Sequence, residues 1–298
     1  MEKIKIDFLG TGDAIPTKAR NHTSILIGFA NENILIDCGE GTQRQLKTAG
    51  LNMIKITKIL ITHWHGDHIL GLPGLLQTLA MSNYSNTLEI YGPKGTRNNL
   101  EIIKKLIKNF NIKLKIQEVS GTFINNQIYS IEAQAMYHGT PANAYSIKLK
   151  DKIRLNKKKI KSLKLPNSPL LKKLQEGKDI IINGKKVKSN SVTYKEKGKK
   201  ITFIMDTKFN NNAIKLAEDS DLLIAESTFS SLDEKKAHEY LHLTAKEAAS
   251  IAKKSNSKKL ILTHISQRYE KNLSIIEKEA KTIFKNCSIA KDFDSIII

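Results

Sequence analysis

The chain has 298 residues, 40% of them hydrophobic, enough to bury a substantial core in one large domain or two ordinary ones, which excludes a disordered or fibrous polypeptide. Lys and Arg number 49 against 29 Asp and Glu, and the resulting net charge of +20 excludes an acidic solvating protein and favours a polyanionic partner, nucleic acid first. A lysine-, asparagine- and isoleucine-rich compositional habit would raise the same total, so the placement of the charge carries more information than its sum. Cys38 and Cys287 lie far apart and outside any paired metal pattern, so both are expected reduced and structural. The first ten residues alternate polar and apolar with no charged leader, and no apolar run reaches bilayer length. A soluble cytoplasmic chain with no membrane partner is the expectation.

In chain order, Ile-rich β-type runs are predicted at 3–9, 25–29 and 34–36, followed by a helix at 41–49, a strand at 59–62 and a helix at 69–81. A strand at 88–91 and a helix at 97–110 come next, then a strand-like stretch at 129–137. The last third reads as strands at 201–205, 222–225 and 260–262 alternating with helices at 213–218, 244–254 and 273–284. Strands interleaved with helices predict an α/β protein whose sheets are covered by helices.

Residues 150–190 break this rhythm. They hold fourteen Lys or Arg and three acidic residues, a local net of +11, including Lys157-Lys158-Lys159-Ile160-Lys161, and end in a turn at Asn183-Gly184. Leu163, Leu165, Leu170, Leu171 and Leu174 are too few for an independent core, so the segment reads as a flexible basic arm or hairpin inserted into a single domain spanning 1–298. The bland reading is a solvated loop with idle lysines.

His63-Trp64-His65-Gly66-Asp67-His68 directly follows the predicted strand at 59–62. Three imidazoles and a carboxylate in six residues are ligands of the kind zinc or a similar divalent metal takes, and a buried structural role would leave several of them without partners. His138, Asp206 and His264 each end a strand-like run, the position where α/β proteins place their chemistry, and as a set they complete the ligands. Asp37 reads as a carboxylate orienting a metal-bound His or as a plain turn residue. His242 stands just before a helix whose start is fixed by a capping box of Thr244 and Glu247, close to a positively biased helix end; His238 competes for the same role.

His63-x-His65-x-Asp67-His68, followed by distant His, Asp and His, resembles the metallo-β-lactamase superfamily. That resemblance implies an αββα sandwich in which His63, His65 and His138 bind one metal, Asp67, His68 and His264 bind a second, and Asp206 bridges them. Two zinc ions per subunit are expected, although His and carboxylate ligands also admit Mn or Fe. Within the superfamily, Phe8-Leu9-Gly10-Thr11-Gly12-Asp13 with Pro16-Thr17-Lys18-Ala19-Arg20-Asn21, then Leu35-Ile36-Asp37-Cys38-Gly39-Glu40-Gly41, and His264-Ile265-Ser266-Gln267-Arg268-Tyr269 are similar to ribonuclease Z blocks. Lys18 and Arg20 in the first block are also cations suited to holding phosphates.

The ribonuclease Z resemblance implies a His at position 242 working with Glu226. The family's His-Glu-Ala-Thr reads Ala225-Glu226-Ser227-Thr228 here. The basic segment falls where the short family form inserts its tRNA-binding arm, although the Gly-Pro often found near the tip is Asn167-Ser168-Pro169. The implied activity is cleavage of precursor tRNA 3′ of the acceptor stem, leaving a 3′ hydroxyl on the tRNA and a 5′ phosphate on the trailer. Asp67 would orient the attacking water and His242, supported by Glu226, would act as general acid, in a homodimer. A small-molecule ester or phosphodiester hydrolase of the same superfamily is the alternative. A binding protein with a purely structural metal needs only four ligands, and seven are available.

Overall fold

The structure, a computed structural model, describes residues 3–107, 111–182 and 184–298; the end of the helix expected at 97–110 and Asn183 of the arm turn lie outside the described residues. The first sheet is built from β1 (Lys5–Gly10), β2 (Ser24–Phe29), β3 (Glu32–Ile36), β4 (Lys58–Leu60), β5 (Thr87–Gly92) and β6 (Lys113–Glu118). The second takes β7 (Gly121–Asn125), β8 (Tyr129–Tyr137) and β9 (Pro141–Leu149). Four short strands follow in the insert: β10 (Lys152–Leu155), β11 (Ile180–Ile182), β12 (Lys185–Val187) and β13 (Thr193–Glu196). The second sheet resumes with β14 (Lys200–Ile204), β15 (Leu222–Glu226), β16 (Leu260–Thr263) and β17 (Cys287–Ile289), and β18 (Ser295–Ile297) returns to the first. The strand orders are β18-β1-β2-β3-β4-β5-β6 and β17-β16-β15-β14-β9-β8-β7.

Strand periodicity explains the layering, because neighbouring side chains point to opposite faces. Ile25 and Ile27 of β2, Ile34 and Ile36 of β3, and Ile201 and Phe203 of β14 face inward and pack between the sheets. Their neighbours Leu26 and Leu35 turn outward onto the helices Leu72–Met81 and Thr96–Leu106. On the other side Ile204, Leu223 and Leu262 meet Asn211–Ala217, Ala245–Lys254 and Ser274–Ile283. Four layers in the order αββα result, and strands buried on both faces read as the continuous apolar runs seen in the sequence.

The helix expected at 69–81 is two helices, Gly66–Ile69 and Leu72–Met81. Gly71 separates them: its N–H donates to Cys38 O at 3.0 Å, and a Cβ there would sit 2.0 Å from Gly39 O. Backbone pressed on backbone forces the break and the glycine together. Both cysteines are buried and free.

The inserted segment is more ordered than its leucines alone suggested. Strands β10 and β13 pair at its base and β11 and β12 further out, and Leu171, Leu174, Ile180, Val187 and Val192 are buried in a cluster separate from the main core. Counting leucines overlooked the isoleucines and valines that complete this small core.

Candidate metal centre and active site

The C-terminal ends of β3, β4, β8, β14, β15 and β16 converge on one edge of the sandwich, and the chemistry-bearing residues follow them. His63 lies three residues past β4, on a turn fixed from the second sheet by Asn143 N donating to Thr62 O at 2.8 Å and Tyr145 Oη donating to Ile61 O at 2.6 Å. His65 is the residue preceding the helix Gly66–Ile69, which carries Asp67 and His68. His138 directly follows β8, Asp206 follows β14 by two residues, and His264 follows β16 at a left-handed φ of 56°.

The seven residues come together as two groups sharing one carboxylate. Ligand atoms of His63, His65, His138 and Asp206 lie within 4.8 Å of one another, as do those of Asp67, His68, Asp206 and His264. His65 Nδ1 is 3.0 Å from His63 Nε2 and 3.1 Å from His138 Nε2, while His264 Nε2 is 3.2 Å from His68 Nε2 and 3.3 Å from Asp67 Oδ2. Asp206 Oδ2 is 3.6, 3.4 and 3.4 Å from Nε2 of His63, His68 and His138. Its Oδ1 is buried and accepts no hydrogen bond. A buried carboxylate oxygen without a donor is strongly disfavoured unless a cation takes that place. The residues fit two divalent cations, three nitrogens and the shared carboxylate for one, two nitrogens and two carboxylates for the other.

The imidazole nitrogens facing away from the cluster are also held. His68 Nδ1 meets Asp37 Oδ2 at 2.7 Å, His138 Nδ1 meets Leu241 O at 3.0 Å, His63 Nδ1 meets Thr62 Oγ1 at 3.1 Å and His264 Nδ1 meets Thr228 Oγ1 at 2.8 Å. Such partners fix ring orientation and raise ligand basicity. Asp37 is therefore an orienting carboxylate, with its other oxygen accepting Thr62 N–H at 2.7 Å.

Electrostatics divide the site. Burial drives His63 well below the ordinary histidine range and lowers His65. Burial opposes charge on His68 and His264 too, but Asp206 with Asp37 outweighs it for the first and Asp206 with Asp67 for the second, so both are raised. Burial disfavours the Asp67 and Asp206 carboxylates as well, and the surrounding imidazoles reverse that and hold both well below the usual range.

His242 is brought to the same place. Its Nδ1 donates to Glu226 Oε1 at 3.1 Å and lies 3.8 Å from Asp206 Oδ2. Burial works against its charge, yet Glu226 and Asp206 push it up to about 9. Glu226 is fully buried at the end of β15, receives Thr207 N–H at 2.9 Å, and is lowered because His242 overcomes the effect of burial. Thr244 and Glu247 form the expected capping box. The competitor His238 is on the exposed side, 3.1 Å from Glu247, so His242 holds the place beside the cluster.

These groups open on a cavity of about 600 Å³ whose outer wall is Asp13, Ile15, Phe229, Tyr240 and Arg268. Sequence reasoning missed Phe229 and Tyr240, which carry no ligand chemistry that spacing would flag, and quoted Thr228 within Ala225-Glu226-Ser227-Thr228 without giving it a role. The expectation for Arg20 as a phosphate-holding cation is not met. It is buried, with Nη1 donating to Thr11 Oγ1 at 2.7 Å and to Ala290 O at 2.8 Å, and it clamps the loop to the C-terminal region. Lys18 is exposed.

The family model described as Anti-Pycsar protein Apyc1 matches residues 4–283. A ribonuclease Z of Nanoarchaeum equitans (strain Kin4-M) is 42% identical over 295 residues, 98% of this chain and 92% of the relative. Among solved structures, the human short-form tRNase Z aligns with a TM-score of 0.70 at 27% identity, covering 98% of each chain. The metallo-β-lactamase fold protein YhfI of Bacillus subtilis aligns with a TM-score of 0.72 at 20% identity over 100% of both chains, a likeness of fold. The chain has the metallo-β-lactamase fold and belongs both to the family that this model describes and, through its 42% identical relative, to the ribonuclease Z family.

Proposed function

We propose that the protein is a metal-dependent endoribonuclease that cleaves precursor tRNA just 3′ of the acceptor stem, leaving a 3′ hydroxyl on the tRNA and a 5′ phosphate on the trailer. The observation that carries this is His242, backed by the fully buried Glu226, lining the same cavity as residues of a two-cation ligand set. Ribonuclease Z relatives at 36–42% identity over nearly the whole chain support the substrate class.

His63, His65, His138 and Asp206 would hold one cation and Asp67, His68, Asp206 and His264 the other, and such a pair polarises a scissile phosphate and makes attacking water acidic near neutral pH. Asp67 orients that water and accepts its proton. Glu226 fixes the His242 ring through Nδ1, leaving Nε2 to donate a proton to the departing 3′ oxygen. The basic insert grips the sugar-phosphate backbone by charge and shape, as an enzyme accepting many tRNAs requires. Zinc as the metal, two ions per chain and a cytoplasmic setting belong to the same reading. So does a homodimer, supported by exposed Met81, Ile102 and Leu106 on neighbouring helices.

Incubating the zinc-loaded protein with end-labelled precursor tRNA tests this. One cut directly after the acceptor stem, from a sedimenting dimer carrying two metals per chain, is expected. Intact RNA with zinc, manganese and iron alike, beside rapid hydrolysis of a small ester, would favour the small-molecule alternative.

A further inference from the structure

Thr228 has no part in the chemistry above, yet its hydroxyl joins the two halves of the site. The side chain is buried, and Oγ1 lies 2.6 Å from Glu226 Oε2, 2.8 Å from His264 Nδ1 and 3.3 Å from His242 Nδ1. A hydroxyl has one hydrogen to give and two lone pairs with which to accept. Glu226 as a carboxylate only accepts, so it takes the hydrogen. Both imidazoles then donate Nδ1–H to Oγ1, His242 sharing its hydrogen with Glu226 Oε1, and the capacity of the hydroxyl is filled.

The consequence falls on His264. With a hydrogen held on Nδ1, its Nε2 is the nitrogen left for a cation, and Nε2 is the atom facing Asp67 Oδ2 and Asp206 Oδ1, each at 3.3 Å. Without the hydroxyl, a buried Nδ1–H loses its acceptor, and the neutral ring moves its hydrogen to Nε2, toward the carboxylates, where it blocks the metal position. Thr228 is itself pinned, because its own N–H donates to Glu226 Oε2 at 3.3 Å.

We propose that Thr228 is a positioning residue whose single hydroxyl sets the tautomer of the ligand His264 and the orientation of the Glu226–His242 pair together, so that loading of the second metal position and proton delivery depend on one atom. This rests on the reading of His264 as a ligand and His242 as the acid.

The full-length Thr228→Val and Thr228→Ser variants, prepared metal-free, are titrated with zinc against a chromophoric chelator and assayed on precursor tRNA. In Thr228→Val, one of two zinc affinities is expected to fall about 10–100-fold with the other unchanged, and kcat to fall with KM little altered; Thr228→Ser returns both to within about threefold. Unchanged affinities in Thr228→Val, or a Thr228→Ser variant no better than valine, overturn the assignment. Nitrogen-15 shifts of the zinc-loaded wild type decide it without any variant: hydrogen on His264 Nδ1 supports it, and a bare Nδ1 refutes it. A wild type that binds two zinc ions but leaves precursor tRNA intact refutes the substrate reading alone, and the affinity split still decides the role of Thr228.

Discussion

His242 is held from both sides of its backbone. Leu241 before it adopts a left-handed φ of 58°, and the capped helix Ala245–Lys254 begins three residues later. A general acid contributes most where the leaving group is poor, so His242→Ala is expected to lose about 10²–10⁴-fold in kcat on precursor tRNA but far less on a p-nitrophenyl phosphodiester, whose leaving group needs no proton. Equal losses on both substrates would remove His242 from that role. At this scale the clustered His and Asp residues were legible, because three imidazoles and a carboxylate in six residues have few other uses. The orienting part of Asp37 was only one of two readings, and Thr228 stood in a quoted motif with no role of its own. A hydroxyl becomes informative only when its three partners are known.

Among elements, the inserted arm shows how charge placement and packing separate. On the helix Lys157–Ser162, Lys157, Lys158, Lys159 and Lys161 are exposed, whereas Ile160 packs against the arm's own small core. Glutamine keeps nearly the same helix propensity without the charge. Replacing these four lysines by Gln is expected to make the dependence of log affinity for precursor tRNA on log salt shallower, by up to about 0.7–0.9 for each phosphate that the arm no longer neutralises. Hydrolysis of a small phosphodiester, which does not reach the arm, keeps its rate. An unchanged salt slope would return these lysines to an idle solvated face. Most predicted strands recur within a residue or two, but β6, β7, β9, β17 and β18 of the two sheets escaped: Lys113–Glu118 alternates charge with apolar residues, β9 begins at a proline, and β17 and β18 have three residues each.

For the molecule as a whole, the two sheets are joined by more than their shared apolar layer. Glu32 of β3 receives Lys58 Nζ at 2.7 Å, Thr57 Oγ1 at 2.5 Å and, across the sandwich, Tyr129 Oη of β8 at 2.6 Å. Burial raises its carboxyl, but the bonds from Lys58, Thr57 and Tyr129 prevail and lower it. A carboxyl depressed in the folded state adds stability above its unfolded value, and that stability is lost as pH falls through the lower folded one. Glu32→Gln is therefore expected to lose roughly 1–3 kcal/mol near neutral pH in urea unfolding. The gap to wild type should close in acid, below about pH 4. A gap that persists in acid would mean that the charge is not what joins the sheets there.

The sequence by itself determined the α/β layering, the seven His and Asp residues that the fold gathers at one edge and the position of a basic insert, because hydrophobic period, residue density and charge are local properties of a chain. Only the tertiary structure set His238 apart on the exposed side, buried Arg20 as a clamp, and joined Glu226, His242 and His264 through one hydroxyl. Those outcomes depend on which way a side chain faces and what lies within 3 Å of it. Side chains up to 281 positions apart in sequence, as Thr11 and Asp292 are in their hydrogen bond, settle such questions only once the sheets have packed.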